Sequence, residues 1–327
     1  MAISHYGPNR NKTITYYSLI AILIIAAVAF YFYLGKKKKA IQNTAPVTDT
    51  TQQTAKTAKP GKTGLAITDT NSGASPHVID LLKQAQNDAD SGKIIVARNS
   101  YNDILNMSPL PDSVRATVKT QLTTLADQWL FTKTIQLGDD LCSSYKVQPG
   151  DSLAQIAAKC KVPYQFLMKI NNIASDKGLR ADQVIKVAQG PFHAIVYKSS
   201  FTMDLYLQNV FVKSYRIGIG RDGRETPVGL WRAKVGGKMI KPTWTDPDTG
   251  KTYHAEDADY PLGSGWISLE GTDSRTRGIE GIAIHGTNDE STIGTKSSRG
   301  CIRLYNGELM DVYNMFEAGF SELRVVE

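Results

Sequence analysis

Cysteine and histidine are scarce in this chain of 327 residues, three of the first and five of the second. So few thiols exclude a disulfide-dense scaffold. The histidines, at 5, 77, 193, 254 and 285, are scattered, and no His/Cys spacing makes a metal-ligand set. Neither a metal nor another cofactor is expected. The net charge of +7 comes without a basic helix or interleaved arginines and aromatics, which argues against nucleic acid as a partner. Four of the positive charges form one block, the lysines at 36–39, beside an apolar run. An anionic surface such as lipid headgroups or a cell wall suits that block at least as well.

The apolar run, residues 16–34, carries no charge. It meets the ~20 residues needed to cross a bilayer core. Tyr16, Tyr17, Tyr31 and Tyr33 stand at its two ends, as interfacial aromatics do. Ala27, Val28 and Ala29 suit a cleaved signal peptide, but the run continues to Leu34 and ends in lysines, so a retained transmembrane helix is expected. Residues 1–15 then form a cytoplasmic tail. On charge alone, the four lysines outweigh Arg10 and Lys12 and pull the carboxyl side inward. Residues 35–75 are rich in Thr, Lys, Ala and Gln, with almost no large apolar side chains. They cannot pack a core and are expected to act as a flexible linker, with a root-mean-square span of ~35 Å.

Residues 76–140 predict a small helical domain. Ser75 before Pro76 is a helix start, and Val78, Leu81, Leu82 and Ala85 repeat at helical spacing. Gly92 ends that helix; a second runs through Tyr101 and Leu105, and a third carries Val114, Val118, Leu122, Leu125 and Trp129. The helix–Gly–helix pattern faintly resembles one tetratricopeptide unit. Its apolar residues are core, with a spacer or partner-docking role open.

Residues 143–189 read as strand, helix, helix, strand. Tyr145 and Val147 begin, the Pro149–Gly150–Asp151–Ser152–Leu153 turn caps a helix, Pro163 opens another, and Val184–Ile185–Lys186–Val187 returns. This order resembles a LysM domain. The resemblance implies a βααβ fold that grips N-acetylglucosamine-containing glycans, largely through backbone. The matching loops hold Gly150, Asp151, Ser152 and Leu153 on one side and Ile173 on the other. Simple helix capping is the other role open to Asp151. A departure is Ala181–Asp182–Gln183, where the family usually has a glycine. Cys142 and Cys160 flank the first strand and helix; outside the cytoplasm they could form a disulfide, with two unpaired thiols as the other reading.

From residue 191 the pattern turns to strands, around 193–197, 203–207 and 211–217, with a hairpin at Gln208 and Asn209. A helix follows near Leu309 and Phe316, then a closing strand at 323–326. Within this region His285–Gly286–Thr287 is followed by Ser298–Arg299–Gly300–Cys301–Ile302–Arg303. A lone imidazole and a lone thiol in a Gly/Ser setting are what nucleophilic acyl transfer needs. Gly300 lets the backbone approach a substrate closely and turn its N–H groups toward a developing oxyanion. Cys301 as a small core hydrophobe is the competing reading.

His-Gly-Thr followed by Ser-x-Gly-Cys-x-Arg resembles the signature of the L,D-transpeptidase (YkuD-type) catalytic domain, and Thr226–Pro227, Pro242–Thr243–Trp244 and Pro261–Leu262–Gly263 agree. The resemblance covers residues 191–327 and implies a mainly β, sandwich-like domain that forms 3→3 crosslinks in peptidoglycan through a cysteine thioester. It assigns Cys301 as nucleophile, His285 as base and the Gly286 carbonyl as its orienter. The N–H groups of Arg299, Gly300 and Cys301 become the oxyanion hole. Arg303 would hold a substrate carboxylate, with Ser298, Thr287 and Tyr260 lining the groove. Many relatives have histidine where Arg299 stands. Segment 246–260, polar and punctuated by Pro and Gly, suggests a mobile lid. The implied partners are a stem tetrapeptide donor, an acceptor stem and the glycan. The implied location is the bacterial envelope, with the catalytic domain outside the cytoplasm and against the charge argument. Hydrolysis of the same bonds, or an inert wall-binding anchor, are the alternatives.

Overall fold

The computed structural model describes residues 73–327. The expected tail, membrane span and nearly all of the expected linker lie outside the described residues. Among the described residues, no helix is long and apolar enough to cross a membrane.

Three helices come first: α1 (Pro76–Asp90), α2 (Ile94–Leu105) and α3 (Asp112–Trp129). Ser75 caps α1 by accepting the Val78 N–H at 3.3 Å, and Gly92 turns the chain at φ +75°. The apolar stripe read from the sequence is the buried face: Leu82, Tyr101, Val118, Leu122 and Trp129 are all 2% exposed or less.

Next comes the βααβ module, with β1 (Cys142–Lys146), α4 (Leu153–Cys160), α5 (Tyr164–Asn171) and β2 (Val184–Ala188). β1 and β2 pair antiparallel. The Asp182 backbone is left-handed, φ +65°. Aspartate tolerates that region better than most residues, so the turn forms without the glycine expected there. Cys142 and Cys160 are buried, unpaired thiols, the second of the two readings left open by the sequence. Each is held in the core of its own element, and burial pushes the Cys142 thiol up to about 12.

The remaining chain is mainly β, as expected, and its principal strands are joined in one mixed eight-stranded sheet. Its order is β13-β11-β10-β7-β14-β3-β4-β5. The strands that matter below are β3 (Phe192–Tyr197), β4 (Thr202–Leu207), β5 (Val210–Arg216), β7 (Gly229–Met239), β10 (Trp266–Gly271), β11 (Ala283–His285), β13 (Ile302–Arg303) and β14 (Glu322–Val326). Two short ribbons flank them: β6 (Ile219–Gly220) with β12 (Lys296–Ser298), and β8 (Trp244–Thr245) with β9 (Thr252–Tyr253). Helix α6 (Asn306–Met315) buries Leu309, Val312 and Met315 in the same apolar core.

The three parts are bonded to one another. Phe166 of α5 meets Phe192 of β3 edge to face at 5.0 Å and Phe131 at 6.4 Å. Asn102 of α2 caps the open edge strand β5, accepting the Phe211 N–H at 3.1 Å and donating to the Asn209 carbonyl at 3.2 Å. An edge strand left unpaired invites pairing with another chain. Lys119 of α3 pairs with Asp204 of β4, whose carboxylate is fully buried. Lys186 of β2 is 1% exposed. Its ammonium donates to the carbonyls of Trp129, Thr132 (3.1 Å) and Thr134 (2.8 Å), satisfying acceptors at and beyond the end of α3. Lys186→Met should therefore lower unfolding free energy by about 3 kcal/mol in a urea titration, because buried carbonyls lose a charged donor.

Candidate active site

The parallel pairing of β11 with β13 sets Ile284 beside Ile302 and His285 beside Arg303. Residues two apart on an extended chain share a face. Cys301, one step before β13, therefore stands with Arg303 on the face that carries His285. On the other side of β11, β10 sets Trp266 opposite His285. The two rings stack at 5.5 Å and 17°, and the indole N–H donates to Ser268 Oγ at 2.7 Å.

The imidazole is held by backbone. Its Nδ1 lies 2.5 Å from the Gly286 carbonyl, which can only accept. The proton of the neutral ring therefore sits on Nδ1, leaving the Nε2 lone pair for a proton. Asn306, at the start of α6, fixes the backbone around that carbonyl. It accepts the Ser264 N–H at 2.9 Å and donates to the Thr287 carbonyl at 2.9 Å. A Cβ at Gly286 would lie 2.2 Å from Asn306 Oδ1, so only glycine fits between the imidazole and this brace.

His285 is 4% exposed. Burial lowers its pKa to about 4, the nearby Arg303 charge acts the same way, and the Gly286 carbonyl opposes both. Cys301 is half-buried and its thiol donates to the Gly281 carbonyl at 3.4 Å. Burial raises this thiol to about 11, against the pull of the Ala283 N–H, Arg303 and Arg299. Both groups are thus neutral near pH 7. The geometry supports proton transfer during attack rather than a standing thiolate–imidazolium pair.

The turn before the thiol is tightly bonded. Ser298 Oγ donates to the Cys301 carbonyl at 2.6 Å and accepts the Gly300 N–H at 3.2 Å. Gly300 has φ +109°, and a Cβ there would lie 2.9 Å from the Ile282 side chain. Of the three expected oxyanion donors, Gly300 is thus already engaged. The N–H groups of Arg299 and Cys301 have no hydrogen-bond acceptor among the described residues.

Several residues expected to touch substrate have side chains engaged in the scaffold. Tyr260 is 4% exposed, and its hydroxyl donates to the Pro242 carbonyl at 2.6 Å. Thr287 is buried and exchanges hydrogen bonds with the Asp289 backbone, 3.1 Å each way. Ser298, 1% exposed, is spent on its own turn. Arg303 keeps the expected potential: Nη1 reaches Ser297 Oγ at 3.3 Å, while Nε is buried without a partner.

The suspected lid is a hairpin, β8 and β9, tied to the site. Arg299 binds both oxygens of Asp246 at 3.1 Å and Asp248 at 2.7 Å, and Arg224 reaches Asp248 at 3.0 Å. The Arg299 hydrogen bond holds the Asp248 carboxyl below the usual carboxylate range, helped by Arg224 and opposed by burial. These aspartates, Trp266 as a partner of His285, and Asn306 were all missed from sequence. Each is distant along the chain from the group it holds.

In the βααβ module, the side chains of the expected glycan loops are largely spent. Asp151 accepts the Tyr145 hydroxyl and the Gln148 N–H, both at 2.8 Å. Ser152 forms a capping box with Gln155, and Leu153 is 1% exposed. Gly150 is left-handed at φ +86°, and Ile173 is half-buried. Any recognition there falls to backbone and to the rim of Ile173.

Residues 191–326 match the model of the L,D-transpeptidase catalytic domain, and residues 145–188 that of the LysM domain. The chain is 28% identical over 182 residues to an L,D-transpeptidase YkuD of Bacillus licheniformis, covering 54% of this chain and 94% of that protein. It is 31% identical over 132 residues to L,D-transpeptidase YqjB of Bacillus subtilis, covering 40% and 69%. Among solved structures, an L,D-transpeptidase from Mycobacterium smegmatis aligns at a TM-score of 0.33 and 14% identity, covering 47% of this chain and 65% of that one. L,D-transpeptidase 3 from Mycobacterium tuberculosis, with a faropenem-derived adduct, aligns at 0.33 and 15%, covering 46% and 76%. On its match to YqjB over two thirds of that protein's length, together with the catalytic-domain match, the chain belongs to the L,D-transpeptidases with a YkuD-type catalytic domain.

Proposed function

We propose that the protein forms 3→3 crosslinks in peptidoglycan, with Cys301 as nucleophile and His285 as base. The observation that carries this reading is the neutral imidazole, locked by the Gly286 carbonyl on the face it shares with Cys301. Cys301 Sγ attacks the carbonyl between the third stem residue and the terminal D-alanine while its proton passes to His285 Nε2. The oxyanion is met by the N–H groups of Arg299 and Cys301, each worth about 3 kcal/mol in such a role. Collapse breaks the C–N bond, and the imidazolium returns its proton to the leaving amine of D-alanine. The thioester is then attacked by the amine of a neighbouring stem. His285 takes that amine's proton and gives one to the departing thiolate. Arg303, with an unpartnered buried Nε and no ion pair among the described residues, suits a substrate carboxylate.

The LysM module supports retention on the glycan, and the apolar run at 16–34 supports a membrane tether that leaves both modules outside the cytoplasm. Water in place of the acceptor amine would give hydrolysis by the same acyl-enzyme. Mass spectrometry of products from a tetrapeptide-bearing disaccharide separates the two. Dimers are expected, and tripeptides alone would replace transfer by hydrolysis.

A carbapenem should add its mass to the wild-type chain and leave Cys301→Ala unchanged. An adduct on Cys301→Ala would remove Cys301 from the mechanism. Because burial depresses His285, the base is neutral above about pH 4. The acylation rate should fall on acidification with a midpoint well below the ordinary histidine value near 6.5. His285→Gln should slow acylation by about 10²-fold or more and abolish that acid limb. Asp246→Asn with Asp248→Asn should release Arg299 and slow acylation by about tenfold or more at unchanged thermal stability, since displaced oxyanion donors lose much of their worth.

A further inference from the structure

Far along the sheet from Cys301, between α3 and the strands β3, β4 and β14, lies a cavity of about 680 Å³. The pairing of β3 with β4 sets His193 beside Tyr206 and Ile195 beside Asp204, and β14 sets Arg324 beside Ile195. One sheet face therefore presents His193, Tyr197, Tyr206 and Arg324 together, and α3 adds Arg115 and Lys119 from above. Clefts between packed elements are where ligands are commonly held.

The charges in this cleft are unevenly satisfied. Lys119 is neutralised by Asp204, and Glu322 lies 3.5 Å from Arg232. Arg115 makes one long contact, 3.4 Å to the Leu105 carbonyl, and neither it nor Arg324 forms an ion pair among the described residues. Both guanidinium groups lie near Tyr197, which is hydrogen-bonded to Tyr206. His193 Nδ1 accepts the Glu322 N–H at 3.3 Å, so a neutral ring carries its proton on Nε2, as a further donor. Guanidinium groups free of carboxylates suit oxyanions.

A second cavity, about 830 Å³, shares Arg115, Lys119 and Tyr197 and continues past Thr120, Thr123, Thr124, Ser199, Ser200 and Thr202. The α3 threonine hydroxyls donate back to the helix carbonyls four residues earlier, at 2.9–3.1 Å, and keep lone pairs for an incoming hydroxyl. Cations at the junction and hydroxyls beyond it describe an elongated site. The lysine-rich segment at 35–75 of this chain carries the wrong sign to fill it.

We propose that these joined cavities bind an anionic carbohydrate or polyol chain, its oxyanion between Arg115 and Arg324 and its hydroxyls along α3. This site is separate from Cys301 and does not depend on the crosslinking reaction. The test titrates the full chain calorimetrically with a glycerol phosphate oligomer, a galacturonic acid oligomer and a neutral N-acetylglucosamine oligomer. A charged oligomer should bind saturably, the better of the two identifying phosphate or carboxylate as the anion. Arg115→Gln with Arg324→Gln should weaken that binding by about tenfold or more, the loss expected for charged hydrogen bonds. Binding of the neutral oligomer and carbapenem acylation should stay unchanged, which shows the fold intact. If the double variant unfolds, Arg324→Gln alone, an exposed strand position, serves the same purpose. Absence of saturable binding by both charged oligomers, or equal affinity in variant and wild type, would overturn the proposal.

Discussion

The pairing of β11 with β13 governs the catalytic region. It brings His285 together with Cys301 and Arg303 on one face, with His285 buried and Cys301 half-buried. Burial sets the protonation of both reacting groups in opposite directions, imidazole down and thiol up, so the resting pair is uncharged. A site of this kind avoids the cost of holding an ion pair out of water. In the proposed mechanism charge arises only as the sulfur attacks, with the Arg299 and Cys301 N–H groups left without another acceptor among the described residues.

Holding that arrangement falls mostly to backbone and to glycine. The Gly286 carbonyl orients the ring, Asn306 braces the Gly286–Thr287 backbone, and Gly300 occupies a conformation and a space closed to other residues. Arg299 adds an outer tie. Its backbone faces the reaction while its side chain fastens the β8–β9 hairpin through two aspartates. The guanidinium thus links the turn before Cys301 to the β8–β9 hairpin.

The helical part and the LysM module are built into the catalytic domain rather than strung beside it. Lys186 closes the end of α3, Phe166 wedges against β3, and Asn102 covers the open edge of β5. Such joints fix the separation of the βααβ loops from Cys301. They also create, between α3 and the sheet, a cleft that no single part would possess.

The sequence alone determined the element types and the motif on which the proposed reacting pair rests. Period-2 and period-3.6 patterns are local, so β3, β4, β5, the first three helices and α6 were legible. So was the His285–Cys301 constellation, because short motifs retain their residues together. The left-handed turn at Asp182 and the unpaired state of Cys142 and Cys160 were not legible, since each depends on surroundings. Tertiary structure alone decided that Tyr260, Thr287 and Ser298 hold the scaffold, that Trp266 stacks on the imidazole, and that Asp246 and Asp248 answer Arg299. Hydrogen-bond partners and burial are set by segments distant along the chain, and no local pattern encodes which of them will meet.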